Sequence, residues 1–278
     1  MTGLGMMECK KALAEAGGSL QKAEELLRIR SGAKASKAAS RIAAEGIIGA
    51  FLAPDARSGA LVEINCETDF VARNEEFQSF AAKLAALIAS GAPADGAQLA
   101  ALPMEGATVE ARRQSLVQKI GENISIRRFL RKNTGARLAQ YVHGARIGVM
   151  VEFEGEEEVG KDLAMHIAFA KPPYLAKQDV PPEVVARERE ILAARAKESG
   201  KPAEIAAKMV EGALNKFAAE IALLGQPFVV NDKLTVEKAL AEQKTKLRGY
   251  RFLVVGEGIE KKSTDFAAEV MAQAGAAR

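Results

Sequence analysis

The sequence is organised around two adjoining stretches, Ala-Leu-Val-Glu-Ile-Asn-Cys at 60–66 and Glu-Thr-Asp-Phe-Val-Ala at 67–72. The first is rich in apolar and β-branched residues and predicts a strand, and a helical pattern begins near Asn74. Residues 67–72 therefore predict a short surface connection of the kind that often carries function. Within it, Phe70 beside Asp69 is either an apolar probe that another molecule buries or a side chain that turns back to cap its own core.

Length and composition predict a multidomain globular protein. The chain has 278 residues, of which 48% are hydrophobic and 27% charged. The net charge of +3, from 39 basic and 36 acidic residues, gives no strong electrostatic case for nucleic acid or a membrane surface. The two cysteines, Cys9 and Cys66, do not form a disulfide framework, which favours a reducing compartment. Without a long apolar run or a signal peptide, we expect no membrane span and a cytoplasmic location.

Residues 1–45 predict a small N-terminal helical module followed by a linker. Helical spacing of apolar residues marks 7–16 and 20–29, with Ser19 as the N-cap of the second helix and Gly32 as its end. The following stretch carries a basic row that favours a solvated helix face or linker over phosphate contact, formed by Lys34, Lys37 and Arg41.

Two segments, 46–135 and the pair 136–182 with 225–258, repeat one order of elements. Each begins with a predicted hairpin and a helix, and each ends with a helix and a strand; residues 90–107 predict a looser connection in the first. The repeat predicts an α+β fold with a core of two subdomains, in which helices cover mixed or antiparallel sheets.

An insertion at 183–224 separates the two parts of the second subdomain. Its helical patterns predict an antiparallel coiled-coil hairpin, which serves partner contact or dimerisation or folds back on the core. The apolar stripes that we expect to face each other are Val184, Ile191 and Ala194 on one helix and Ile205, Met209, Ala213, Phe217 and Ile221 on the other. The tail, 259–278, predicts a C-terminal helix with Phe266, Val270 and Met271 on its apolar face.

Residues for covalent chemistry are few. The chain has two histidines, His143 and His166, and no zinc-ligand spacing or phosphate-binding Gly-rich loop. His166 lies on an apolar helical face and predicts a structural role, whereas His143 lies at a hairpin tip and predicts an exposed polar contact. We therefore expect no metal, no cofactor and no catalytic residue.

Five ordered motifs resemble the elongation factor Ts family over essentially the whole chain, and together they are highly specific. They are Thr2-Gly3 with Met6-Met7-Glu8-Cys9-Lys10-Lys11-Ala12-Leu13, the run Cys66-Glu67-Thr68-Asp69-Phe70-Val71-Ala72, the run Lys119-Ile120-Gly121-Glu122-Asn123-Ile124, the run His143-Gly144-Ala145-Arg146-Ile147-Gly148, and Gly225-Gln226-Pro227-Phe228. The resemblance implies a ubiquitin-associated-like N-terminal module, here without its first family helix, together with the two-subdomain core, the coiled-coil insertion and a C-terminal helical module.

The resemblance also implies a function and a site. Members of the family exchange guanine nucleotide on elongation factor Tu and are not enzymes with covalent chemistry of their own. By this analogy Phe70 inserts into the partner's G domain with Asp69 beside it, which disturbs Mg²⁺ and phosphate binding and releases GDP. The implied partner-binding residues are Thr68, Asp69, Phe70, Val71, Ile120, Gly121 and His143.

Two functions of other classes remain as alternatives to exchange. One is an RNA- or ribosome-associated module that uses the row Lys34, Lys37 and Arg41, although the near-neutral charge argues against direct nucleic-acid binding. The other is a carboxylate enzyme, which no motif favours. The predicted hairpin leaves a second copy of the chain as a candidate partner beside elongation factor Tu.

Overall fold

The computed structural model describes residues 4–198 and 200–260. The C-terminal helix expected within 259–278 lies outside the described residues except for Ile259 and Glu260, and so does the motif Thr2-Gly3.

Helices make up about half of the described chain, and they alternate with hairpins. Their bounds are α1 (Met6–Glu15), α2 (Leu20–Ala38), α3 (Asp69–Ala72), α4 (Glu75–Gly91), α5 (Gly96–Ala101), α6 (Val109–Ile120), α7 (Glu157–Ala170), α8 (Pro182–Glu198), α9 (Ala203–Ile221) and α10 (Val236–Glu242). The strands are β1 (Glu45–Leu52), β2 (Ser58–Cys66), β3 (Pro103–Met104), β4 (Ala107–Thr108), β5 (Ser125–Asn133), β6 (Arg137–His143), β7 (Ile147–Glu154), β8 (Pro227–Phe228), β9 (Asn231–Thr235) and β10 (Lys246–Val254).

Two three-stranded antiparallel sheets share one topology. The first has the order β1-β2-β5 and the second β10-β7-β6, so the second strand of each hairpin is central and the last strand pairs beside it. Helix α4 covers the first sheet and α7 covers the second. The α+β class and the repeated order of elements are thus confirmed, and both sheets are antiparallel. The proposed domain boundaries stay a prediction.

Strand β2 is buried on both faces, because each face packs against a different part of the protein. Ala60, Val62 and Ile64 pack against the core under α4, which includes the fully buried Phe77. Leu61 points the other way, into a cluster that joins the two sheets. The sheets approach so closely there that a Cβ on Gly148 of β7 would collide with the Ile48 side chain. Apolar packing between the sheets therefore fixes one half against the other.

A buried carboxylate also joins the two halves. Glu63 of β2 has no exposed surface, and it accepts hydrogen bonds from Arg127 Nη1 (3.0 Å), Arg128 Nε (2.6 Å) and the backbone N–H of Gly256 (2.8 Å). Adjacent strand residues normally point to opposite faces, but the register shifts between Glu63 and Ile64, which places a bulge at Arg127. The bulge lets both arginines reach one carboxylate, and Gly256 brings the end of β10 to the same point.

Three expectations within the helical parts were wrong. Helix α2 does not end at Gly32 but continues to Ala38. A helical glycine costs about 1 kcal/mol relative to alanine, and packing on α6 outweighs that cost: Ser31 Oγ donates to Gln118 Oε1, and Lys34 Nζ donates to the Gln118 carbonyl at 3.3 Å. The connection expected to be loose at 90–107 contains α5 and the β3–β4 hairpin.

The third wrong expectation is the choice of the faces by which α8 and α9 contact each other. The seam is formed by Val185, Leu192 and Ala196 with Ala206, Val210 and Leu214, which is one residue beyond most of the predicted positions. Apolar residues are adjacent at several points of both helices, and a one-residue shift rotates the face by about 100°. Periodicity alone does not choose between such faces. As a result Ile191, Ile205 and Met209 remain exposed.

We predict that Glu63 makes stability depend on acid pH. Burial opposes its ionisation, but the Gly256 N–H and the guanidinium groups of Arg128 and Arg127 outweigh burial and hold the pKa of Glu63 below its ordinary 4.5. The stabilisation is therefore fully present above about pH 4.5 and is lost as the pH falls through the lowered folded-state pKa. At pH 7 we expect Glu63→Gln to lower the free energy of unfolding by about 3–5 kcal/mol in urea titrations.

The difference between Glu63→Gln and the unchanged chain should shrink as the pH is lowered toward 3. Glu242→Gln, which changes an exposed carboxylate at the end of α10, is the control and should leave the urea midpoint unchanged. Equal acid sensitivity of the unchanged chain and Glu63→Gln would contradict the assignment.

Candidate protein-binding site

The segment after β2 is a one-turn helix held between two caps. Thr68 is extended (φ −122°, ψ 157°), and its Oγ1 accepts a hydrogen bond from the Val71 N–H at 3.5 Å, which starts α3. Two residues after α3, Asn74 Oδ1 accepts from the N–H groups of Glu76 and Phe77 and starts α4. The predicted strand-to-helix connection is thus a tight turn fixed at both ends.

Phe70 points into solvent from this turn. Its exposed fraction is 80%, whereas that of the next residue, Val71, is 8%. Neighbouring positions on a helix differ by about 100°, so only one of the two can face the core, and Val71 packs there. The alternative in which Phe70 caps its own core was therefore wrong, and an apolar ring remains available for another molecule to bury.

Asp69 lies beside Phe70 with much of its side chain exposed. Its Oδ2 accepts a hydrogen bond from Arg73 Nη2 at 2.9 Å, an i,i+4 ion pair at the surface. Such exposed pairs contribute about 0–1 kcal/mol, so Asp69 can exchange this partner for another at little cost.

The turn after α6 contributes two further predicted site residues. Ile120 is half-buried and packs on the first core, and Gly121 is exposed with φ 89° as the C-cap of α6. Its N–H donates to the Val117 carbonyl at 2.8 Å, which closes the helix end. This backbone conformation favours glycine, so the helix end alone explains why position 121 is a glycine, independently of any partner.

Hydrogen bonds join the Thr68 turn to the Gly121 turn. The Glu122 carboxylate accepts from the N–H groups of Glu67 and Thr68, both at 3.0 Å, and from Thr68 Oγ1 at 2.6 Å. In return the Glu67 carboxylate accepts from the Asn123 N–H. Arg41 adds an ion pair to Glu67 at 3.1 Å and a hydrogen bond to the Gly121 carbonyl at 2.9 Å. We call Arg41, Glu67, Thr68, Glu122 and Asn123 the Glu122 network.

Sequence reasoning missed the roles of Arg41, Glu67 and Glu122 in this network. More than fifty residues separate Glu67 from Glu122. No local sequence pattern indicates that the Glu122 carboxylate accepts from the N–H groups of Glu67 and Thr68, or that the Glu67 carboxylate accepts from the Asn123 N–H. Arg41 belonged to a row interpreted as a solvated face or linker. The structure shows instead that Arg41 and Lys34 bind groups within the chain.

His143 is the last residue of β6, next to the β6–β7 turn; it is exposed, and its Nδ1 is hydrogen-bonded to the Tyr141 hydroxyl at 3.2 Å. The same turn binds β1, because the Ala145 carbonyl accepts from the Ile48 N–H at 2.7 Å and Arg146 pairs with Glu45. Glu45 is opposite Cys66 in the β1–β2 register. The His143 turn and the Phe70 turn therefore lie at the same end of the first sheet.

Two side chains of reactive types, His166 and Cys66, are buried and have structural roles. His166 is buried, accepts from the Val229 N–H at Nδ1 (3.2 Å) and is hydrogen-bonded to Gln226 at Nε2 (3.0 Å); burial lowers its pKa, so it is neutral at pH 7. Burial raises the pKa of the Cys66 thiol to about 12, with the Glu122 and Glu45 carboxylates adding to the effect. A protonated, buried thiol is a poor nucleophile.

Residues 4–198 and 200–260 contain neither a metal-binding cluster nor a membrane-spanning helix. No group of three or more His, Cys, Asp or Glu side chains in these ranges is arranged to hold a metal ion. In the same ranges, no helix has the length and apolar character needed to cross a membrane.

Comparison with known proteins identifies the family. A family model described as Elongation factor TS matches residues 67–257, which include the Phe70, Gly121 and His143 turns. Elongation factor Ts of Cupriavidus pinatubonensis is 58% identical over 273 residues, covering 98% of this chain and 93% of the relative. Elongation factor Ts of Nitrosomonas eutropha is 58% identical over 275 residues, covering 98% and 94%. Elongation factor Ts of Bordetella petrii is 58% identical over 269 residues, covering 97% and 92%.

These matches place the chain among the translation elongation factors of protein biosynthesis. Within that class, it belongs to the elongation factor Ts family. The resemblance seen in the five sequence motifs is thus confirmed.

We predict that Gly121→Ala lowers the free energy of unfolding by about 1–2 kcal/mol, because alanine at φ 89° places its Cβ against the following carbonyl. The control is Gly212→Ala, an exposed position inside α9 where a Cβ meets no atom within 4 Å. That change should instead raise the free energy of unfolding by about 0.4–1 kcal/mol. Urea titration of both variants checks the pair, and a harmless Gly121→Ala would contradict the prediction.

Proposed function

We propose that the chain binds elongation factor Tu in its GDP-bound form and promotes release of GDP, in the cytoplasm where elongation takes place. The observation that carries this proposal is Phe70, an exposed aromatic ring on a turn whose backbone is fixed at both ends. A side chain that enters another protein needs both exposure and a rigid base, since ordering a mobile segment on binding costs free energy.

In the proposed mechanism Phe70 inserts into an apolar slot of the partner's G domain, and Asp69 accompanies it. Thr68 and Val71 fix the inserted turn, one as its N-cap and the other as its anchor in the core. Ile120, Gly121 and His143 contact the same G-domain surface, since their turns lie at the same end of the first sheet as Phe70. The insertion displaces the elements of the partner that hold Mg²⁺ and the phosphates. The chain itself contributes no covalent step.

The energetics of one aromatic ring limit what Phe70 does alone. Burying a phenylalanine side chain contributes about 1.5–3 kcal/mol, which changes an equilibrium about 10- to 100-fold. Exchange requires that the chain bind the nucleotide-free partner more tightly than the GDP-bound partner. Larger acceleration therefore needs the other contacts, namely those of Ile120, Gly121 and His143 and those of the tail helix expected within 259–278.

We predict that Phe70→Ala slows GDP release about 10- to 100-fold, because the variant loses the apolar burial that stabilises the nucleotide-free complex. The rate is measured as the release of fluorescent GDP from elongation factor Tu in the presence of catalytic amounts of the chain. The melting temperature should stay within a few degrees of that of the unchanged chain, because the Phe70 ring contributes little to the chain's own core.

Phe169 on α7 offers a matched control for Phe70. Its exposed fraction is 76%, close to the 80% of Phe70, and it lies on the second half of the core. The Phe169→Ala variant should promote GDP release from elongation factor Tu as fast as the unchanged chain does. Full activity of Phe70→Ala would overturn the proposed insertion, and an unchanged chain that leaves GDP release at its spontaneous rate would overturn exchange itself.

We also propose that the α8–α9 hairpin pairs with a second copy of the chain. Ile191 precedes a seam residue of α8 by one position, and Ile205 and Met209 precede seam residues of α9 by one position. Because the two helices run in opposite directions, these equal offsets turn the three side chains to the same side of the hairpin. This exposed apolar side is what supports self-association.

We predict that Ile205→Glu shifts the chain toward the monomer, because the variant places a charge on the apolar side of the hairpin. Sedimentation velocity at tens of micromolar checks the change. The control, Lys208→Glu, changes an exposed residue of α9 outside that apolar group and should leave the distribution unchanged. A monomeric unchanged chain at that concentration would contradict the proposed pairing.

A further inference from the structure

The turn that carries Asp69 and Phe70 cannot hold its shape by local bonds alone. Helix α3 spans four residues, and a single helical turn is unstable in water because its first hydrogen bond must order several residues. Its geometry must therefore depend on tertiary contacts. Val71 supplies one of these by packing in the core. The others come from the Glu122 network.

Glu122 is placed to fix the backbone just before α3. Its carboxylate receives three hydrogen bonds from two successive residues, Glu67 and Thr68. Hydrogen bonds to an ionised carboxylate are about twice as strong as neutral ones. Two of the three donors are backbone N–H groups, so Glu122 determines the path of the chain itself and not only one rotamer. Thr68 Oγ1 both donates to Glu122 and accepts from the Val71 N–H.

The same network reaches the N-terminal part of the chain through Arg41. This residue lies three positions beyond the end of α2, and its guanidinium bridges the Glu67 carboxylate and the Gly121 carbonyl. The Asn123 side-chain amide donates to the Arg41 carbonyl at 2.7 Å, so the backbone of Arg41 is fixed as well. The position of α2 and the position of the Phe70 turn are thereby linked through one set of charge-assisted hydrogen bonds.

We propose that Glu122 is a positioning residue for exchange, which holds the Asp69–Phe70 turn in its inserting geometry, and that Arg41 couples this geometry to the N-terminal helical module. The proposal rests on the proposed exchange function. Glu122 acts through Thr68 and the backbone that precedes Phe70. Its loss should therefore affect the nucleotide-free complex, where insertion is complete, more than the initial encounter with the partner.

The first test compares Glu122→Ala, Thr68→Val and the conservative Thr68→Ser in GDP release from elongation factor Tu. We expect the maximal rate to fall about 10- to 100-fold for Glu122→Ala and Thr68→Val, because misplacing an interacting group by about 1 Å has effects of this size. The concentration that gives half the maximal rate should change less than about threefold. Thr68→Ser keeps the hydroxyl and should retain most of the rate.

Glu242→Gln on α10 and the melting temperature of each variant are the controls for this test. A fall in rate that follows the fall in melting temperature across the set, with Thr68→Ser as impaired as Thr68→Val, would overturn the proposal. An unchanged maximal rate in Glu122→Ala would overturn it as well.

A double-mutant cycle tests whether Glu122 acts through Phe70. In the Phe70→Ala background, Glu122→Ala should reduce the maximal rate by less than about threefold, since residues that act as one unit are not additive. Fully multiplicative losses would mean that Glu122 acts on exchange without Phe70, and the positioning role would fall.

A third measurement does not need the partner. The chain contains no tryptophan, so Phe70→Trp places a single indole fluorophore at the tip of the turn. Time-resolved anisotropy should show increased local motion at position 70 when Glu122→Ala is added, and little change when Glu242→Gln is added. Unchanged local motion on addition of Glu122→Ala would overturn the positioning role, even if the unchanged chain promotes exchange as proposed. Absence of exchange by the unchanged chain, together with increased motion, would reject the proposed function but keep Glu122 as the residue that fixes the turn.

The Arg41 coupling has its own pair of variants. Arg41→Met removes the guanidinium and should increase the local motion of the fluorophore at position 70 and lower the maximal exchange rate, by less than Glu122→Ala does. Lys37→Met removes an exposed positive charge from the last turn of α2 and should change neither quantity. Equal effects of the two variants would show that charge in this region, and not the Arg41 contacts, is responsible.

Discussion

The burial of Glu63 between the two sheets is the constraint on which the arrangement of this protein depends. An ionised carboxylate that is removed from water is stable only where nearby charges and hydrogen-bond donors compensate for its lost hydration. Here the donors come from a bulge in β5 and from the backbone that follows β10. These elements are far apart in sequence, so one charge requires the first sheet and the end of the second to meet at one point.

That junction provides the rigid base for the candidate site. Strand β2 carries Glu63 on one face and core residues on the other, and the chain leaves β2 directly into Thr68, Asp69 and Phe70. A strand fixed on both faces gives the turn that follows a defined direction. The Glu122 network and the buried Val71 then fix the turn itself. The exposed Phe70 ring is thus the last member of a series of packed and hydrogen-bonded groups that begins at the buried Glu63.

Local patterns in the sequence were sufficient for the main elements. Runs rich in apolar and β-branched residues marked β1, β2, β6 and β7, and cap residues such as Ser19 and Asn74 marked helix starts, because these signals act within a few residues. They were not sufficient at Gly32, where packing on α6 carries the helix onward, or in α8 and α9, where adjacent apolar residues offered two faces.

By itself, the sequence determined the α+β class, the repeated order of elements and the family, because periodicity and ordered motifs are readable along the chain. It placed Phe70 in a surface connection but did not decide whether the ring faces the core or solvent. Only the tertiary structure decided that Val71 packs inward and Phe70 outward, and that Arg41, Glu67 and Glu122 meet. The reason is physical: these choices depend on which surfaces and donors distant segments bring together, and no local pattern contains that information.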